Sequence, residues 1–159
     1  MPKLAGQKEK LIRLARILET STDEEHPMTI NELIAALKAE GVEAERKSLY
    51  NDLETLEYLG YDVCKVRSKS VGYYIGSRLF QLPELKLLVD AVQSSRFITS
   101  KKSDELIRKL ESLTSRYHAK ELSRQVYVTG RVKAMNESVY YAIDALHSAI
   151  AADRQITFS

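Results

Sequence analysis

The stretch 46-RKSLYNDLETLEYLGYDV-63 decides how this chain is read. Leu49, Leu53, Leu56 and Leu59 step by four, three and three, so they share one face of a helix. Gly60 follows, suited to the left-handed conformation that ends a helix. The spacing predicts a helix over about Glu45–Leu59 with all four leucines against a core. The opposite face opens with Arg46, Lys47, Ser48, Tyr50 and Asn51. Arginine pairs two donors with guanine, asparagine pairs both ways with adenine, and Ser, Tyr and Lys reach phosphates or base edges. An exposed helix N-terminus also favours phosphate through its partial positive charge. Glu54 and Glu57 would repel a phosphate backbone, which confines contact to the first two turns.

After Gly60 the period changes. The runs 61-YDVCKV-66 and 71-VGYYI-75 flank 67-RSKS-70 and read as a β-hairpin with a basic tip. Lys65, Arg67 and Lys69 there suit backbone or minor-groove contact beside the helix. Upstream, Leu11, Leu14, Ala15 and Leu18 predict a helix over about Gln7–Glu19, followed by the polar loop 20-TSTDEEHP-27. A second helix begins at Thr29. Thr29 and Glu32 have capping-box spacing, Met28 and Leu33 can close a hydrophobic staple, and Gly41 supplies the stop. Its stripe is Ile30, Leu33, Ile34 and Leu37. Three short helices followed by a hairpin is the order of a winged helix-turn-helix, with the third helix presented outward.

Past Ile75 the chain reads as helical. Pro83 opens a helix over about 83–96, with Leu85, Leu88, Val89 and Val92 inside. Another helix follows 100-SKKSDE-105, with Ser103 as its N-cap and Leu106, Leu110 and Leu113 as its stripe. The run 126-VYVTG-130 reads as a short extended piece. A last helix over about 137–152 uses Val139, Ile143, Leu146 and Ile150, and 155-QITFS-159 reads as a strand barely begun.

Composition narrows the classes. A chain that is 44% hydrophobic and 29% charged can bury an ordinary core and is not a disordered one. Its length of 159 residues allows one domain or two small ones. The net charge of +2 does not announce a nucleic-acid partner, but the charge is segregated. Residues 1–16 are basic, 17–45 are acidic, and positive charge returns at Arg46, Lys47, Lys65, Arg67 and Lys69. No apolar run approaches the roughly 18 residues of a membrane span, and MPKLAGQKEK lacks the apolar stretch of a secretory signal. The single cysteine, Cys64, forms no intrachain disulfide. A cytoplasmic address without a membrane partner is expected.

His26, His118 and His147 are far apart in sequence, and Cys64 has no partner at metal-ligand spacing, so no metal site is expected. Gly72 and Gly76 precede no phosphate-loop lysine, and no Ser–His–acid or paired-carboxylate spacing stands out. No cofactor is expected, and an enzyme ranks last. A protein-interaction module is the rival to DNA binding. An RNA or single-stranded DNA binder, stacking bases on Tyr73 and Tyr74, is a third possibility.

The segment R-K-S-L-Y-N-D-L-E-T-L, followed by Gly60 and a hairpin ending 72-GYYI-75, resembles the DNA-binding head of the bacterial WYL-domain transcriptional regulators. The resemblance continues through 97-FITSKKSDELIRKL-110, 125-QVYV-128 and 136-NESVYYAIDALHSAI-150. The family often carries Thr where Ser48 stands and Arg where Asn51 stands. The resemblance implies a dimeric transcription factor with a mainly α fold and small β elements. Its parts would be a winged helix-turn-helix over 1–77, a helical linker or dimerisation region over 78–135, and a helix and first strand over 136–159. That strand would lead into an Sm-like WYL β-barrel that senses an effector, so effector binding is expected only in a domain beyond Ser159.

Overall fold

Leu14, Leu18, Leu33, Leu37, Leu49, Leu53 and Leu56 are almost wholly shielded from water in the computed structural model, which describes residues 3–67, 69–125, 133, 135–136 and 138–157. They come from α1 (Lys3–Ser21), α2 (Ile30–Ala39) and α3 (Arg46–Tyr58), and Val63, Tyr73 and Ile75 close the same core from a small sheet. The sheet comprises β1 (Met28–Thr29), β2 (Val63–Arg67) and β3 (Val71–Ile75), antiparallel in the order β1-β3-β2. The hairpin register pairs Val63 with Ile75 and Arg67 with Val71.

Local chemistry accounts for the helix ends. Thr29 Oγ1 accepts from the N–H of Glu32 at 3.3 Å, and the Glu32 carboxylate accepts from the N–H of Thr29 at 2.7 Å. That reciprocal box starts α2, as its spacing predicts. Gly41 and Gly60 adopt φ of 80° and 96°, a region costly for any residue with a Cβ. The turn at Gly60 lets Tyr61 N–H reach the Leu56 carbonyl at 3.0 Å. It also corrects one expectation: Leu59 lies past the last turn of α3 and is 59% exposed, so the seam is Leu49, Leu53 and Leu56 alone.

Strand β1 has no signal of its own in the sequence. Met28 pairs with Tyr73 and Thr29 with Gly72, at a point where a Cβ on residue 72 would stand 2.8 Å from the Pro27 ring. Only a glycine lets the two strands approach so closely.

A second core, separate from the first, is built from Leu85, Val89, Ile107 and Leu122, with Phe80, Leu82, Val92 and Leu110 packed around it. It joins α4 (Leu82–Ser94), α5 (Ser100–Glu111) and α6 (Arg116–Gln125). Pro83 sits in the first turn of α4 as expected, and Leu85 and Val89 turn inward with Val92 packed beside them, whereas Leu88, expected with them, is 36% exposed. In α5 the N-cap is Thr99, whose hydroxyl accepts from Lys102 N–H, and not Ser103. Ser103 is interior, buried, and bonded by Lys133 Nζ at 2.9 Å. The inward residue of α5 is Ile107, with Leu106 and Leu110 half-buried and Leu113 outside. Helix α6 is not foreseen from the sequence because 116-RYHAKELSRQ-125 is mostly polar and charged, with Leu122 its one buried aliphatic side chain.

Helix α7 (Ser138–Ala151) pairs with no other described helix or strand. Its Val139, Ile143 and Leu146 are half-buried, whereas Ile150 is exposed. Residues 155–157 are irregular and form no strand, contrary to expectation, and the extended piece expected at 126–130 lies outside the described residues. Among the described residues no helix is long and apolar enough to cross a membrane.

Candidate nucleic-acid interface

Helix α3 starts without a side-chain cap: Glu45 is its N-cap residue and makes no capping hydrogen bond. Its first-turn N–H groups therefore lack an internal side-chain acceptor. With the leucine seam inward, Arg46, Lys47, Tyr50 and Asn51 are exposed. Arg46 Nε and Nη2 both stand 3.4 Å from Tyr50 Oη, a loose contact one turn apart that steers the guanidinium along the helix.

Ser48 departs from this group. It is half-buried on the side facing α1, and its hydroxyl accepts from Lys10 Nζ. Lys10 is itself buried and reaches Asp52 Oδ2 at 2.7 Å, one turn further along α3. Ser48 thus belongs to the attachment of α3. Nothing in the α3 segment alone signals this, because the partner is 38 residues away.

The hairpin stands beside α3. Lys65 Nζ lies 3.2 Å from Glu57 Oε1, so one expected hairpin cation ties β2 to α3 and cancels a carboxylate that would repel phosphate. Arg67 and Lys69 are exposed, and with Lys47 they enter no salt bridge among the described residues. A cavity of about 350 Å³ brings Arg46 and Tyr50 together with Ser70 and Tyr73 of the hairpin and Thr29 and Asn31 at the start of α2. Thr29 and Asn31 were not among the sequence candidates; the capping box that starts α2 was the available signal. Tyr73 is 5% exposed, and burial, then the neighbouring Tyr50, pushes its phenol above the ordinary value. Its ring is part of the core, which removes one of the two expected stacking platforms. Tyr74 is half-buried.

Two of the histidines that sequence distance separates meet on one carboxylate. His26 Nδ1 lies 2.7 Å from Asp23 Oδ1, and His118 Nε2 lies 3.9 Å from Asp23 Oδ2. Ser115 is there too, but its hydroxyl donates to the carboxylate at 2.5 Å and is fully buried. Among the described residues no group of three or more His, Cys, Asp or Glu side chains has an arrangement able to hold a metal ion. No protein-family model, curated protein or solved structure matches the chain.

Proposed function

We propose that the chain binds duplex DNA as the winged helix-turn-helix head and linker of a transcriptional regulator, of the kind found in the WYL-domain family. One observation carries this reading: α3 keeps Leu49, Leu53 and Leu56 in the core while Arg46, Lys47, Tyr50 and Asn51 stand exposed beside Arg67 and Lys69 of the hairpin. A helix of about this width enters a major groove, and an adjacent basic hairpin meets the flanking backbone. Ser48 and Lys65 support the surface from behind through Lys10 and Glu57. One such head covers little DNA, so the chain acts as a homodimer on two half-sites about one helical turn apart, or a multiple of it.

Fluorescence anisotropy on a site selected from random duplexes tests this. Arg46→Ala costs about 1–3 kcal/mol at the selected site if the guanidinium reads a base. Arg67→Ala and Lys69→Ala weaken all sequences alike and flatten the salt dependence by about 0.9 for each phosphate no longer neutralised. If the parent protein leaves every duplex unbound at low salt, or a variant lacking Arg46, Lys47, Arg67 and Lys69 together binds as well as the parent, this function is wrong.

A further inference from the structure

The two cores have no residue in common, and among the described helices and strands α1 against α6 is the single pairing that joins them. The join is polar. Asp23, just past α1, is wholly buried, as are Thr22 and Ser115. Asp23 Oδ2 receives Ser115 Oγ at 2.5 Å from the turn before α6. Asp23 Oδ1 accepts from the backbone N–H of His26 at 2.9 Å and of Glu25 at 3.2 Å, and meets His26 Nδ1 at 2.7 Å. The His26 ring lies flat on Tyr117 of α6, with centroids 3.7 Å apart and planes within 4°. From the strap between β3 and α4, Arg78 donates to the carbonyls of Glu19 at 2.5 Å and Thr22 at 2.6 Å. Clefts of about 380 Å³ and 330 Å³ both reach Arg78. Tyr61, Asp62, Leu79 and Leu113 line the first; Glu24, Tyr74 and His118 line the second.

We propose that Asp23, Ser115 and His118, with the stacked His26 and Tyr117, form a conformational latch. Closed, it fixes the N-terminal unit against α6; open, it lets the two units turn about residues 79–81 of the strap, beyond the bonds that hold Gly76, Ser77 and Arg78 to the N-terminal unit. A tightly packed apolar join would forbid this. A buried carboxylate with directed donors behaves otherwise: it has one good arrangement, and any departure demands water in its place. The second cleft, which His118 and Thr114 line, brings that water to the edge of the cluster. Joins of this polar kind between units permit relative motion, whereas large apolar ones do not. The consequence is that, among the described helices and strands, events at the helical half reach the N-terminal unit through one breakable join. The latch goes beyond the DNA-binding reading and needs no nucleic acid to be tested.

The full chain, with Cys64→Ser and spin labels at Glu54→Cys of α3 and Lys109→Cys of α5, reports the join by pulsed electron resonance. All three positions avoid the cluster and the cores. The parent should give one narrow distance distribution. Asp23→Ala and Ser115→Ala should at least double its width, with helix content by circular dichroism unchanged. If Asp23→Ala fails to fold, Ser115→Ala, which removes one hydroxyl, carries the decision. A distribution as narrow in Ser115→Ala as in the parent overturns the latch. So does loss of helix content in both variants, because the two units would then be one cooperative fold.

Discussion

Lys10 is a buried charge paired with a largely buried carboxylate, and Lys10→Met should destabilise the N-terminal unit by about 3 kcal/mol. The magnitude follows from what the substitution leaves behind. Lys10 and Asp52 keep 7% and 18% of their side-chain exposure, so the pair is largely withdrawn from water. Asp52 Oδ2 meets the ammonium at 2.7 Å but takes no directed hydrogen bond among the described residues. Its charge is therefore compensated by Lys10 almost alone. Removing one member of a buried pair costs about 3–5 kcal/mol, and the residual exposure of Asp52 selects the lower end. An exposed pair would be worth no more than about 1 kcal/mol. The second arm is Asp52→Leu in the Lys10→Met background. It removes the stranded charge and should recover most of the stability, since a buried ion pair is often matched by apolar residues of similar volume. Urea unfolding of the four proteins of the cycle measures this, with a coupling of about 2 kcal/mol or more expected. A drop below about 1 kcal/mol in Lys10→Met, or strict additivity in the double variant, would mean that Asp52 does not depend on this lysine.

Acid should weaken the chain through Asp23. Burial by itself pushes this carboxyl up, but the hydrogen bonds from Ser115 and His26, with the charges of His118 and His26, outweigh it and hold the group below its ordinary value. A depressed carboxyl contributes stability that is complete above the unfolded value of about 3.9 and is lost as pH falls through the folded one. Urea midpoints of the wild type should therefore drop more steeply below about pH 4 than those of Asp23→Asn, and parallel curves would sink the claim. Gly72→Ala should cost about 1–3 kcal/mol, because the new methyl meets the Pro27 ring at 2.8 Å and that ring cannot leave the chain that feeds β1. Faster amide exchange confined at first to β1 and its partner residues on β3 would show the strand letting go, and unchanged exchange and stability would count against it.

Local chemistry was legible without the fold. The Thr29–Glu32 box, the stop at Gly60, the leucine spacing of α3 and the alternation of the hairpin each depend on residues within about one turn or one strand of each other. Such signals also predicted which α3 residues are exposed, with Arg46, Lys47, Tyr50 and Asn51 found outside. Tertiary structure decided the rest. Ser48 shares their stretch of helix but turns inward because a lysine 38 residues earlier claims its hydroxyl. Strand β1 exists because Gly72, more than forty positions on, leaves room for Pro27. The Asp23 cluster assembles across 92 residues, out of a polar loop and a helix with few apolar residues. Periodicity records which face of an element is apolar; it carries no record of which distant polar group that element will meet. A buried hydrogen bond is specified by the position of both partners at once, and that position exists only when the chain has folded.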